Sequence, residues 1–313
     1  MSILSALKSG VGRPAKRFVR RFTPASRLIE AICPYLPQSI CVDVGASYYP
    51  HDKWWLFLHA PNTRWVAVEP NEANLGYLED WRFPCPVASC TTGLSKEGGP
   101  QTLYVTPVDS GSSLLEPVIP PSMASRIKNL DYFFPFERRT IQTKTLAEVV
   151  GAQQVSAPVF VKLDTQGSEL SILSGAAELL SEQRIVGVES EFTMLAQPFM
   201  RGSAKFWQGC EFLEMQGFEL LRIKPIHGPS RFGNAKPKGL TYLNECDAVF
   251  ALRRDVAKRL PVEYRVSLLA FYLTYGFYEE SLSLMEEDKE ASSFLVERGC
   301  AIDTLRAAIA RMN

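Results

Sequence analysis

Residues 160–175 read FVKLDTQGSELSILSG. Phe160 to Leu163 are strand formers, the run ends at Asp164, a polar turn carries Gly167, and Glu169 opens a segment with helical apolar spacing. A buried strand that breaks into a helix through a glycine turn is the repeating unit of an α/β sheet. Upstream, SICVDVGAS (39–47) is a β-branched strand closing at Gly45. DKWWLFLHA (52–60) reads as a short apolar helix, RWVAVEPN (64–71) as a second strand ending at Glu69, NLGYLEDW (74–81) as a helix and CPVASCTTGL (85–94) as a third strand. Downstream, the helix SELSILSGAAELLSEQ (168–183) is followed by strand RIVGVESEF (184–192), helix SAKFWQGCEFLEMQG (203–217) and strands FELLRIKPI (218–226) and DAVFALR (247–253). This alternation predicts a mostly parallel sheet with helices on both faces.

The flanks differ in character. SRLIEAICPYLP (26–37) has helical spacing and stops at its prolines, and residues 1–38 read as a basic leader and helix. Residues 98–145 are rich in proline and glycine and read as an insertion or lid, with TLYVTPV (102–108) and RRTIQTKTL (138–146) as its strands and GSSLLEPVIPPS (111–122) as loop. From 254 onward the pattern is helical only, a small C-terminal appendage on a 39–253 domain. Its apolar stretch YRVSLLAFYLTYGFYEESLSLMEE (264–287) reads as a buried helix pair, with a dimer contact as the alternative.

Composition sets outer limits. The 313 residues are 46% hydrophobic and 22% charged, ordinary values for a globular chain. Thirty-four basic residues balance 34 acidic ones, which excludes a surface built as a whole to hold nucleic acid. Seven basic residues nevertheless fall between Lys8 and Arg27 before the first acid, Glu30; they read as a solvated terminus, or as a weak peripheral contact with acidic lipid or another polyanion. The seven cysteines are scattered without zinc-ligand spacing and read as reduced thiols, which points to the cytoplasm. No secretion signal or membrane-spanning run is read, and the sequence leaves the oligomeric state open.

In open α/β sheets ligands sit beyond the carboxyl ends of the strands. Those ends carry Asp43-Val44-Gly45-Ala46-Ser47, Glu69-Pro70-Asn71, Asp164-Thr165-Gln166-Gly167 and Glu189-Ser190-Glu191. A carboxylate at Glu69 suits the two hydroxyls of a ribose, and Gly45 admits close backbone approach. GASYYP lacks the later glycines of GxGxxG, and Asp43 would repel a pyrophosphate. The cationic sulfonium and amino group of S-adenosylmethionine are favoured there instead. The cofactor-binding set is therefore Asp43, Gly45, Ala46, Ser47, Glu69 and Asn71.

CVDVGAS, VAVEPNEANL, TLAEVV, FVKLDTQGSELSILSGA and GVESEF, in this order, resemble the FkbM family of S-adenosylmethionine-dependent methyltransferases over roughly 39–253. The resemblance implies a class I methyltransferase fold, Rossmann-like, with seven strands of which the last is antiparallel, and O-methyl transfer to a hydroxylated small molecule, sugar, glycan or glycolipid. Tyr48-Tyr49-Pro50 stand where the family usually carries another glycine, so the alternative is a non-catalytic interaction module on the same fold. Asp164 is the first candidate for the base that accepts the hydroxyl proton, a role worth about 10²- to 10⁴-fold; Glu189 and Glu191 are the second. Lys162, two residues before Asp164, shares its face of the strand and would hold it ionised. Glu169 in the first turn of a helix is favourable without chemistry, with substrate contact as the alternative. His51 is read as a base or a helix start, His227 as a surface-loop residue with an active-site role as the alternative, and Ser112 and Ser113 as entrance or turn residues. A divalent ion on Asp164, Glu189 and Glu191 is possible but not expected. The sequence does not specify the acceptor.

Overall fold

The computed structural model describes residues 23–80, 82–107, 111–118, 134–227 and 243–312. The strand-forming runs assemble one seven-stranded sheet from β1 (Ser39–Val44), β2 (Thr63–Val68), β3 (Val87–Cys90), β7 (Val159–Leu163), β8 (Ile185–Thr193), β9 (Phe218–His227) and β10 (Leu243–Leu252), in the order β3-β2-β1-β7-β8-β10-β9. Only β10 runs antiparallel to its neighbours. This is the class I methyltransferase sheet; strand order reverses between β1 and β7, which opens a crevice at their carboxyl ends. Every residue of β1 and β7 is buried, as parallel strands covered on both faces must be.

Residues 93–144 contribute a second sheet of β4 (Gly93–Leu94), β5 (Gly99–Val105) and β6 (Glu137–Lys144), ordered β4-β6-β5. The lid expectation falls partly on residues outside those described, and the basic leader up to residue 22 and the expected polar loop over 228–242 lie outside them.

Helices cover the main sheet. They are α1 (Pro24–Ile32), α2 (Trp55–His59), α3 (Tyr77–Asp80), α4 (Leu146–Gly151), α5 (Glu169–Ser174), α6 (Ala177–Ser181) and α7 (Phe206–Met215), then α8 (Arg254–Ala257), α9 (Val262–Tyr275), α10 (Tyr278–Glu287), α11 (Lys289–Glu297) and α12 (Ile302–Ile309). Local chemistry starts them: Thr23 caps α1 ahead of Pro24, and Thr145 with Glu148 forms a reciprocal capping box on α4. The expected single helix over 168–183 is two. Gly175 interrupts it, where a side chain would meet the Lys96 backbone at 2.4–2.9 Å.

The C-terminal helices are built into the core. Val266 to Tyr275 of α9 are all buried, and Phe271 stacks on Phe160 of β7 at 5.4 Å, with the Phe57 ring 4.5 Å from Phe160 as well. Gly187 of β8 leaves the room: a Cβ there would lie 2.5 Å from the Phe271 ring. At the far end α12 packs on α1, and Cys300 Sγ reaches the Ala31 carbonyl at 3.3 Å. None of the seven cysteines forms a disulfide. Among the described residues no helix is long and apolar enough to cross a membrane.

Candidate active site

Register brings the strand-end residues together. Asp43 of β1 lies opposite Lys162 of β7, and Lys162 opposite Glu189 of β8, so the three share one face of the sheet. One step further out stand Asp164 and Glu191, the latter opposite Asp247 of β10. Lys162 is the hub, with Nζ 3.4 Å from Asp43 Oδ1, 3.3 Å from Asp164 Oδ2 and within 3.4 Å of the Gly45 carbonyl. Burial alone would lower its pKa, but the two carboxylates raise it, so Lys162 stays charged.

Asp164 is the one of these carboxylates that faces outward, its side chain 47% exposed. Desolvation at the strand end works to raise its pKa; the Lys162 charge and hydrogen bonds from Glu191 and Gln166 outweigh that and hold it below the usual carboxylate range. Glu191 goes the other way, raised by burial and then by the charges of Asp164, Glu245, Glu169 and Asp247. The two carboxyls titrate as a pair, with the Lys162 charge favouring ionisation at Asp164 and burial favouring the proton at Glu191. Gln166 Nε2 bridges them at 3.3 and 3.2 Å.

The turn after β7 explains its odd composition. Gln166 and Gly167 both have positive φ, 57° and 109°, and a Cβ on Gly167 would fall 2.1 Å from Ser203 Oγ. Glu169 Oε1 accepts from Thr165 N (2.8 Å), Thr165 Oγ1 (3.0 Å) and Gly167 N (3.1 Å), stapling the turn from the first residue of α5. Ser113 Oγ donates to the Gln166 carbonyl at 2.9 Å and Ser112 Oγ accepts from Thr106 N at 3.1 Å, so both serines shape turns.

Glu189, expected as an alternative base, is committed elsewhere. It is 4% exposed; Lys53 Nζ donates to Oε1 at 2.7 Å, while His51 Nε2 at 2.6 Å and the Tyr275 hydroxyl at 2.5 Å converge on Oε2. Trp54 Nε1 donates in turn to the Tyr275 oxygen at 2.8 Å. Burial raises the Glu189 pKa, but His51 and Lys53 bring it down to about 2. His51 also donates its backbone N–H to Asp43 Oδ2 at 3.2 Å and precedes the short 3-10 turn 52–54, so it serves as helix start and as an ion-pair partner together. His227 ends β9 opposite Leu243.

The cofactor side is built on the β1 and β2 ends. Gly45 has φ 78°, its N–H and that of Ala46 donate to the Val68 carbonyl, and a Cβ on Gly45 would sit 2.1 Å from the Asp164 carbonyl. Only glycine lets the two crossover loops meet this closely. Glu69, 8% exposed, accepts from Asn71 N at 3.0 Å, and Asn71 Oδ1 caps the following 3-10 turn. Asp43 is 1% exposed beneath the loop, so it supports the loop and Lys162 instead of facing a ligand. Ser47 Oγ is buried with no hydrogen-bond partner among the described residues, an orphaned donor that a bound group would satisfy. Gly45, Ser47 and Glu69 together fit the methionine and ribose parts of S-adenosylmethionine. Among the described residues no three His, Cys, Asp or Glu side chains are placed to hold a metal ion.

Gln166 stands in the strand-end run the sequence pointed to, whereas Tyr275, Lys53, Asn244 and Glu245 were not expected from the sequence. Tyr275 lies 86 residues from Glu189 and carries no local signal. Glu245 and Asp247 do: their two-residue spacing on a strand puts both on the face of Glu191.

A family model described as the methyltransferase FkbM domain matches residues 43–220. Among solved structures, a precorrin-6y C5,15-methyltransferase from Geobacter metallireducens is 14% identical, over 77% of this chain and 94% of its own, with a TM-score of 0.29. A TehB-like SAM-dependent methyltransferase from Corynebacterium glutamicum is 10% identical over 80% and 94%, with a TM-score of 0.31. A SAM-dependent methyltransferase from Anabaena variabilis is 11% identical over 76% and 81%, also at 0.31. No curated protein matches.

Proposed function

The chain belongs to the FkbM methyltransferase family, and from that premise we propose that it moves a methyl group from S-adenosylmethionine to a hydroxyl oxygen presented to Asp164. The observation that carries this reading is the state of Asp164: ionised by Lys162, facing out of the sheet end, and one loop contact away from Gly45 on the cofactor side. The cofactor supplies an electrophilic methyl group on a positively charged sulfur. Glu69 and Ser47 hold it, Gly45 lets it approach the sheet, and Asp164 orients the acceptor hydroxyl and takes its proton as the oxygen becomes the ether. Lys162 keeps Asp164 in the accepting form, and Gln166, which donates to both Asp164 and Glu191, steadies it. Much of the rate comes from holding oxygen, methyl and sulfur in line, since positioning alone supplies several kcal/mol, up to about 7–11.

Two measurements test this. Calorimetric titration with S-adenosylhomocysteine, run beside NAD, is expected to show binding of the first only; Glu69→Ala weakens it at least about 100-fold, because two hydrogen bonds to a charged carboxylate are lost. Binding retained in that variant would move the cofactor site elsewhere. Asp164→Asn is expected to keep S-adenosylhomocysteine affinity and lower transfer of labelled methyl to a hydroxylated acceptor by about 10²- to 10⁴-fold. Undiminished transfer would remove Asp164 from the chemistry.

A further inference from the structure

A cavity of about 260 Å³ opens between the β7 turn and the ends of β8 and β10, and Gln166, which donates to Asp164, forms part of its lining. Three carboxylates from three elements line it: Glu169, Glu191 and Glu245. Asp164 and Asp247 stand behind them and add to the negative potential. The lysines at the margin are already matched, Lys162 to Asp43 and Asp164 and Lys224 to Asp247 at 2.9 Å. No Lys, Arg or His among the described residues lines the cavity. Burial and the charges of Glu169 and Asp164 push the Glu245 carboxyl up to about 7, the mark of an anion held where its charge is unbalanced.

A second observation is independent of the acids. Asn244, 6% exposed, lines the same cavity, and its Oδ1 is buried with no hydrogen-bond partner among the described residues. A buried amide oxygen without a donor costs free energy that a ligand N–H would recover. The lining thus presents acceptors and negative charge, with Phe199 and Met200 as an apolar wall. A bare metal ion does not match it: the described side chains are not arranged to hold one, and the space admits a small organic group.

We propose, resting on the methyl-transfer reading, that this cavity takes a protonated amine of the acceptor, so that the substrate class is an amino alcohol such as an amino sugar or aminocyclitol. The ammonium lies among Glu191, Glu245 and Asn244, its carbon frame lies on Phe199 and Met200, and a neighbouring hydroxyl reaches Asp164. The amine neutralises charge that the protein leaves unbalanced, and its N–H groups satisfy Asn244. Glu245 faces Glu169, Glu191, Asp164 and Asp247, with Lys224 behind the last; an incoming cation expels the proton it carries near neutral pH. Affinity therefore rises with pH through about 7.

The test is calorimetry on the full chain with trans-2-aminocyclohexanol and its neutral counterpart trans-1,2-cyclohexanediol, with and without S-adenosylhomocysteine. The amine is expected to bind at least about 10-fold more tightly than the diol, with release of a proton read from the dependence of the heat on buffer. In Glu245→Gln, and in Glu191→Gln combined with it, the preference falls below about 2-fold while S-adenosylhomocysteine still binds. Equal binding of amine and diol, binding of neither, or a preference untouched by both variants would overturn the proposal. S-adenosylhomocysteine affinity in the same preparations reads the methyl-transfer reading separately.

Discussion

Tyr48 holds a left-handed backbone, φ 67°, and donates its N–H to the Asn74 carbonyl at 2.9 Å. The loop therefore keeps its shape and bears strain of roughly 1–2 kcal/mol for a residue with a Cβ. Tyr48→Gly is expected to leave thermal stability unchanged or raise it by up to about 1 kcal/mol, and Tyr48→Val to lower it; the reverse order in thermal unfolding would show that the tyrosine ring matters more than the backbone. Two glutamates set opposing pH limits. Glu189, held down to about 2 against an ordinary 4.5, contributes stability that is complete above 4.5 and lost as pH falls toward 2. Glu245, raised to about 7, disfavours the folded state once ionised, so stability falls as pH rises from about 4.5 through 7. Denaturant midpoints measured from pH 2 to 8 are expected to show both slopes, with Glu245→Gln reducing the upper one, which Glu191 and Glu169 share, and Glu189→Gln reducing the lower, which Asp164 shares.

At the scale of elements, β8 and α9 fit because Gly187 yields space to Phe271. Gly187→Ala puts a methyl group 2.5–2.7 Å from a ring clamped against Phe160, and overpacking of this kind costs about 1–3 kcal/mol. A chemical denaturation midpoint equal to that of the parent chain would show that α9 shifts freely, contrary to its burial. The same pair shows why strands were easier to read than their partners. The β-branched runs Ile40 to Val44 and Val159 to Val161 declare themselves, and so does the turn residue Gly167. The break of one expected helix at Gly175 depends on Lys96, 79 positions earlier in the chain, which no local pattern reports.

The helices after Leu252 belong to the working molecule. Tyr275 of α9 closes the hydrogen-bonded set formed by Glu189, His51, Lys53 and Trp54, and that set holds the loop that follows Asp43. Removal of 261–313 strips the cover from Phe160 and Gly187, and the truncated chain is expected to lose cooperative unfolding and the dispersed amide spectrum of a packed core. Retention of both would make the C-terminal region a separable unit. For the intact chain, S-adenosylhomocysteine at about 100 times its Kd adds about 2.7 kcal/mol by mass action.

The sequence alone determined the strands, the carboxylate at each strand end, the glycines of the two crossover turns and the family, because these depend on residue type and short-range order. Asp164 with Lys162 two positions before it was legible for the same reason: strand periodicity puts them on one face. Tertiary structure decided which carboxylate is free. Glu189 and Glu191 differ by one alternation and look equivalent in sequence, yet Tyr275, 86 residues away, engages the first, while Asp164, Glu245 and Asp247 crowd the second. Solvation and charge at a site are sums over neighbours in space, and only the packed chain fixes those neighbours.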